Sequence, residues 1–378
     1  MTYLSNHTIK YVSQQSQFES VLHDLSHSST IAIDTEANSR HRYPEQLCLI
    51  QVATEDKIYI IDPLALKDLT PLKELLANKS ITKVFHTADY DIRSLDRHAG
   101  CRVINAYDVG LAARFLGITQ FGLASVVKAK LGITINKDER IQRSDWGKRP
   151  LPQESLEYAA MDVRHLIPLR CELDKDLNAL GRTGWVAEEC LKLEEIRYVE
   201  PDIETAFFSV KGAIDLAPNQ LAILKSIFLF REEVARRLHQ PPFYVISDGI
   251  MIILAINPTA ALQEVPGLGQ SWLQRFGHGL HIALHQGQES PPVKKPVISA
   301  NDLSAEQKET LGLLKTRRTE LGKQLSLDPS LIWPLPSLRR LAEAPGTFDA
   351  EIHHDTVRQW QRDNFRSSLW NCLSRRSS

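Results

Sequence analysis

"STIAIDTEANSR" occupies residues 29–40, and the fold of the whole chain turns on how it is read. Thr30 to Ile33 are small, apolar or β-branched, as a buried strand requires. Asp34 and Glu36 then stand one residue apart, where an apolar run would be expected to continue. Side chains alternate faces along a strand, so both carboxylates leave the same face. The ends of strands in an open sheet are where such sheets bind ligands. Taken alone, the pair is either a solvated strand end without chemistry or two acids held together by a cation.

Working outward, residues 1–200 alternate strand-like and helix-like runs. Strands are expected at 8–12, 29–34, 47–54, 57–62 and 82–87. Helices are expected at 16–27, 69–80, 88–100 and 109–117, where apolar residues recur at three- and four-residue spacing. The short connections between 29–34, 47–54 and 57–62 predict an antiparallel meander. The later alternation of strand and helix predicts a mixed sheet flanked by helices. Residues 151–181 read as one long helix, started near Pro152 and stopped at Gly181.

Beyond about 200 the pattern is nearly all helical. Two helical units of about 75 residues follow one another, separated by the proline-rich "QESPPVKKPVISAND" (288–302). The expected division is an α/β domain over 1–200, a linker at 201–213, a helical domain at 214–290, a linker at 291–300 and a second helical domain at 301–375. A length of 378 residues agrees, being too long for a single core.

An apolar share of 43% with 24% charged residues excludes a disordered chain. The net charge of −1 gives no polyanion signal, so a nucleic-acid partner has to be sought in local patches. No apolar stretch approaches the roughly 20 residues of a membrane helix. The first residues lack the regions of a signal peptide. Five scattered cysteines without a CxxC pair argue against a disulfide framework or zinc site, and fit a reducing cytoplasm.

Two further segments carry acids in comparable settings. "KVFHTADYDIRSL" (83–95) is an apolar strand entering a helix, with Asp89 and Asp91 near the helix start. Helix capping accounts for Asp89, and it is also the plain alternative for Asp91. "EYAAMDVRHL" (157–166) sets Tyr158 and Asp162 on one helix face, either as ordinary packing and surface residues or as part of a site.

In combination these segments resemble the DEDD exonuclease superfamily, in its branch with a tyrosine in the third motif, and most closely the ribonuclease D family. The resemblance rests on 34–53, 84–95 and 143–169, and the helical units are similar to HRDC domains, the second only loosely. It implies a ribonuclease-H-like exonuclease domain followed by two all-α HRDC-type domains. His86, Thr87 and Ala88 depart from the asparagine that many superfamily members carry there.

The resemblance implies a metal-dependent 3′→5′ exoribonuclease that releases nucleoside 5′-monophosphates, with tRNA precursors or other structured RNA with a single-stranded 3′ end as substrate. Two divalent ions, Mg²⁺ or Mn²⁺, would be its cofactors. It implies that Asp34 bridges both ions, that Glu36 and Asp162 ligate the ion on the water side, and that Asp91 serves the other. Tyr158 would orient the attacking water. Hard cations suit carboxylate oxygens, and four converging carboxylates would repel one another without them. The alternatives are a single-stranded DNA exonuclease of the same fold and a non-catalytic RNA-binding protein. A monomer is expected.

RNA contacts are expected from "INKDERIQRSDWGKRP" (135–150), where five cations face three acids. Lys137, Arg140, Arg143, Lys148 and Arg149 can neutralise phosphates. Trp146 either stacks on a base or packs inward. Arg40 and Arg42 follow the first motif and either border the substrate or are merely exposed. No GxxxxGK[ST] phosphate loop occurs, so a helicase engine is not expected.

Overall fold

The structure is a computed structural model that describes residues 8–136, 138–295 and 303–374. Strands β1 (Thr8–Val12), β2 (Thr30–Ala37), β3 (Leu47–Ala53), β4 (Lys57–Ile61), β5 (Thr82–Phe85) and β6 (Ala106–Asp108) form one sheet of order β1-β4-β3-β2-β5-β6. β3 and β4 pair antiparallel, while β1–β4, β2–β5 and β5–β6 are parallel. The sheet is therefore mixed. Every residue of β3 is buried, as a strand covered on both faces must be.

The helices of this region are α1 (Gln15–Ser26), α2 (Leu72–Ala77), α3 (Asp89–Ala99), α4 (Val109–Phe115), α5 (Leu123–Leu131), α6 (Glu139–Gln142), α7 (Gln153–Arg164), α8 (Leu166–Ala179) and α9 (Thr183–Leu193). They form two layers, and β2 shows how the strands divide between them. Ile31 and Ile33 join the core that includes Val21 of α1, Leu75 of α2 and Ile92 of α3. Ala32 joins the opposite core, with Ala112 of α4, Ala159 of α7 and Leu173 of α8. The period-two alternation thus assigns Asp34 and Glu36 to the α7 side and Thr35 to the α3 side.

The single helix expected over 151–181 is two. α7 and α8 meet at His165, which ends one and starts the other. Pro168 explains the break, because its ring clashes with the carbonyl four residues earlier and it has no N–H to give. β6, α5 and α9 were not expected; β6 has only three residues, too few for a periodic signal.

By backbone contacts the chain forms two compact units. One holds the α/β region except for residues 37–46, together with residues 303–374. There α14 (Ala305–Leu325), α15 (Pro329–Ile332), α16 (Leu335–Glu343), α17 (Phe348–Glu351) and α18 (Gln359–Ser374) share a core with α4 and α9. Trp185 of α9 stacks on Trp360 of α18 at 4.7 Å between ring centroids. Arg182 donates to the Phe115 and Leu325 carbonyls, both at 2.7 Å.

The other unit comprises residues 37–46 and 199–300, described as far as 295. It contains α10 (Pro218–Leu238), α11 (Pro242–Val245), α12 (Asp248–Ile256) and α13 (Gln270–Glu289). Helices α10 and α13 cross closely at Gly287, where an added Cβ would stand 2.6 Å from the Ile223 Cα, so only glycine fits. Within this unit Tyr43 donates to Glu232 at 2.5 Å, and Arg236 lies over its ring.

Candidate active site

Asp34 and Glu36 project from the end of β2, and Asp162 from one turn after Tyr158 on α7. One carboxylate oxygen from each of Asp34, Glu36 and Asp162 lies within 4.8 Å of the other two. The three acids come from two elements 126 residues apart, so the arrangement is tertiary and not a local charge run. Among the described residues it is the one acidic or His/Cys group that converges closely enough to hold an ion. The donor set is all carboxylate, and its mutual repulsion calls for a compensating hard cation. These residues fit a divalent ion of the magnesium or manganese kind.

Asp91 is not part of this tight group. It sits in the first turn of α3, buried, and accepts a 2.6 Å hydrogen bond from the Thr35 hydroxyl. The layer assignment explains the difference: Thr35 faces the α3 side of the sheet, while its two acidic neighbours face α7. Burial pushes the Asp91 carboxyl up to about 7, against the pull of the Thr35 hydrogen bond, and the charges of Asp108 and Asp162 add to the rise.

The turn that leads into α3 is held by Asp108, which sequence reasoning did not single out. Its carboxylate caps α4 by accepting from the backbone N–H groups of Gly110 and Leu111 at 2.8 and 3.1 Å. The same carboxylate takes the N–H groups of Thr87 and Ala88, both at 3.0 Å. It thereby pins the β5–α3 turn, where Thr87 adopts a φ of +64°, an unfavourable conformation for a β-branched residue. Backbone strain of this kind persists only where neighbouring groups over-determine it. The cue was present in sequence, an aspartate just before the apolar helix 109–117. Asp89 is not the cap: the α3 cap position is Ala88, and Asp89 pairs with Arg93 one turn on.

Tyr158 is nearly buried, and its ring lies 6.0 Å from that of Trp146. Burial, followed by the charges of Asp162, Glu36 and Asp34, raises its pKa well above that of an ordinary phenol. Burial and these charges favour the protonated phenol, which leaves its hydroxyl available as a hydrogen-bonding group.

The expected RNA contacts divide. Arg140 and Arg143 are exposed, paired with Asp138 at 2.6 Å and Glu139 at 2.8 Å, and Lys148 is exposed. Arg40 and Arg42 are exposed on residues 37–46 of the helical unit. Lys137 lies outside the described residues. Two expectations need correction. Trp146 is 1% exposed and has no face to offer a base. Arg149 is committed to the protein: it makes a bidentate pair with Asp62 at 2.6 and 2.7 Å and donates to three backbone carbonyls. A buried carboxylate beside it, which must be compensated, takes precedence over solvent or phosphate.

The pattern of the 3′-5′ exonuclease family matches residues 9–178, and that of the HRDC domain matches residues 220–284. The chain is similar to ribonuclease D of Bartonella henselae, 30% identical over 344 residues, covering 89% of this chain and 84% of that protein. It is 34% identical over 328 residues to ribonuclease D of a Shewanella species, covering 85% and 83%. The crystal structure of Escherichia coli RNase D, described as an exoribonuclease involved in structured RNA processing, matches with a TM-score of 0.74 at 24% identity over 98% of this chain and 99% of that one. A protein from Bifidobacterium adolescentis matches with a TM-score of 0.82 at 20% identity, over 97% of each chain. At these identities the two structures speak for the fold.

Proposed function

The chain belongs to the ribonuclease D family, and from that premise we propose how its own residues cleave RNA. The protein is a 3′→5′ exoribonuclease. The observation that carries the proposed site is the convergence of Asp34, Glu36 and Asp162 within 4.8 Å. Those three acids would hold the cations, and Asp91 would assist from the α3 side. Bound there, two divalent ions supply Lewis acidity at the scissile phosphodiester.

The remaining work falls to the protein. Tyr158 orients the attacking water by hydrogen bonding. Thr35 fixes the rotamer of Asp91 through its 2.6 Å hydrogen bond. Arg140, Arg143 and Lys148 supply exposed positive charge for the incoming strand, at the salt-dependent cost in affinity that phosphate contacts bring. The substrate is RNA with an accessible single-stranded 3′ end, and trimming of tRNA precursors is the processing event we assign to it.

The test is shortening of a 3′-labelled RNA in magnesium or manganese, with a DNA of the same sequence beside it. Nucleoside 5′-monophosphates are the expected product, RNA the preferred substrate. Asp34→Asn is expected to reduce the rate by more than about a hundredfold, beyond what loss of an outer partner costs. Full activity in that variant would show that the acids of β2 are not the site.

A further inference from the structure

Arg149 directs its donors at the protein, and what it engages leads to Tyr158. Asp62, the residue after β4, is 1% exposed. Arg149 meets its carboxylate through Nε at 2.6 Å and Nη2 at 2.7 Å. Tyr11 of β1 donates its hydroxyl to the same carboxylate. Burial opposes the charge on Asp62, yet these bonds from Arg149 and Tyr11 hold its pKa below the ordinary carboxylate range. The remaining donors of the guanidinium reach backbone. Nη2 bonds the Cys48 carbonyl of β3 at 3.0 Å, and Nη1 bonds the carbonyls of Trp146 at 2.7 Å and Lys148 at 2.8 Å.

One side chain thus ties the 146–149 turn to the ends of two strands. The turn in turn carries Trp146, whose ring is buried against Tyr158 and whose indole N–H reaches the Gln142 carbonyl at 3.4 Å. A guanidinium suits this job because its planar fork can serve a carboxylate and two carbonyl directions at once; a lysine ammonium cannot reproduce that geometry.

The geometry points to Arg149, with Asp62, as a positioning pair for the hydrolytic reaction: it fixes Trp146 and through it the orientation of the Tyr158 phenol. This rests on the proposed role of Tyr158. Loss of the pair lets the tryptophan shift and the phenol swing, while the acids of β2 and α7 stay where they are. Small misplacements of an orienting group are enough to cost a large factor in rate.

The experiment measures kcat, KM and the salt dependence of KM on a 3′-labelled RNA for the full chain and for Arg149→Lys, Asp62→Asn, Tyr158→Phe and each of the first two combined with Tyr158→Phe. Arg149→Lys and Asp62→Asn are expected to lower kcat on the order of tenfold to a hundredfold, with KM within about twofold of the parent. In the Tyr158→Phe background the same changes are expected to cost less than about twofold more, because the group they orient is already gone. An equal loss in both backgrounds would make the pair a fold stabiliser only and overturn the proposal. A raised KM with kcat intact, and a salt slope flatter by about one phosphate contact, would return Arg149 to the RNA and also overturn it. If Tyr158→Phe alone is silent while Asp34→Asn is inactive, the exonuclease site stands and this proposal falls. If the parent chain shortens no RNA, the functional reading itself has failed.

Discussion

Lys83 has no contact with solvent, although it lies in the middle of β5. Its ammonium donates to the carbonyls of Asn78 at 2.5 Å and Ile81 at 2.9 Å. Burial lowers its pKa from 10.5 to about 8, with Glu194 opposing the drop. Below pH 8 both the folded and unfolded chains carry the proton, and the full cost of burying the charge is present. Between about pH 8 and 10.5 the unfolded chain binds more protons, so this lysine makes stability rise with pH there. The shift corresponds to roughly 3 kcal/mol. Urea unfolding of the parent and of Lys83→Met from pH 7 to 10 is expected to show the difference moving by that order in favour of the parent; a flat difference would refute the assignment. At the same scale, Tyr158→Phe removes a hydroxyl that stays protonated, and it is expected to lower kcat about a hundredfold with KM little changed. Replacing the phenol should also leave the acidic limb of the pH–rate profile where it was, because the group does not titrate in that range.

At the scale of elements, the turn between β5 and α3 depends on Asp108, whose carboxylate accepts four backbone N–H groups. Asp108→Ala strips the α4 cap and leaves buried donors without an acceptor. The expected cost is about 2–4 kcal/mol by urea unfolding. Manganese affinity by calorimetry is expected to fall about 10–100-fold as Asp91 loses its anchorage. Asp108→Asn keeps an amide oxygen in place and should recover part of both. The elements themselves were largely legible: β1 and β3 to β5 lie within two residues of their expected bounds, and β2 runs three residues further, through both acids to Ala37. Asp34, Glu36, Asp91, Tyr158 and Asp162 stood out as a candidate set only through the combined resemblance of their segments, and the structure brings the carboxylates of Asp34, Glu36 and Asp162 together. Which layer each acid approaches from was not legible, since the Thr35–Asp91 hydrogen bond joins residues 56 apart. The two readings left open for Trp146 could not be separated from sequence for a related reason: the tertiary contact with Tyr158 that buries its ring, like the pairing of Arg149 with Asp62, joins residues far apart in the chain or on separate elements.

For the whole molecule, the division expected from sequence set residues 301–375 apart as a second helical domain, whereas backbone contacts group residues 303–374 with the α/β region. Sequence could not show this, because the apolar face of α18 reads the same whether it closes a separate bundle or docks on α4 and α9. Trp360 lies against Phe115, Trp185 and Phe365, and its indole N–H reaches Glu189 at 3.0 Å. Trp360→Ala is expected to destabilise this unit by about 3–5 kcal/mol in urea unfolding, a cost that a self-contained bundle would not transmit to the exonuclease transition. The discontinuity also bears on how the protein is made. Every acid of the proposed site has left the ribosome once residue 162 is out, but the helices that cover Phe115 and Trp185 follow more than a hundred residues later. At about 5–20 residues per second the nascent chain spends several seconds to half a minute with that aromatic face bare. We expect stalled chains ending near 200 to recruit holdase chaperones and to be nicked by protease around α9, and chains extended through α18 to resist both; equal resistance at the two lengths would mean that the α/β region closes on its own.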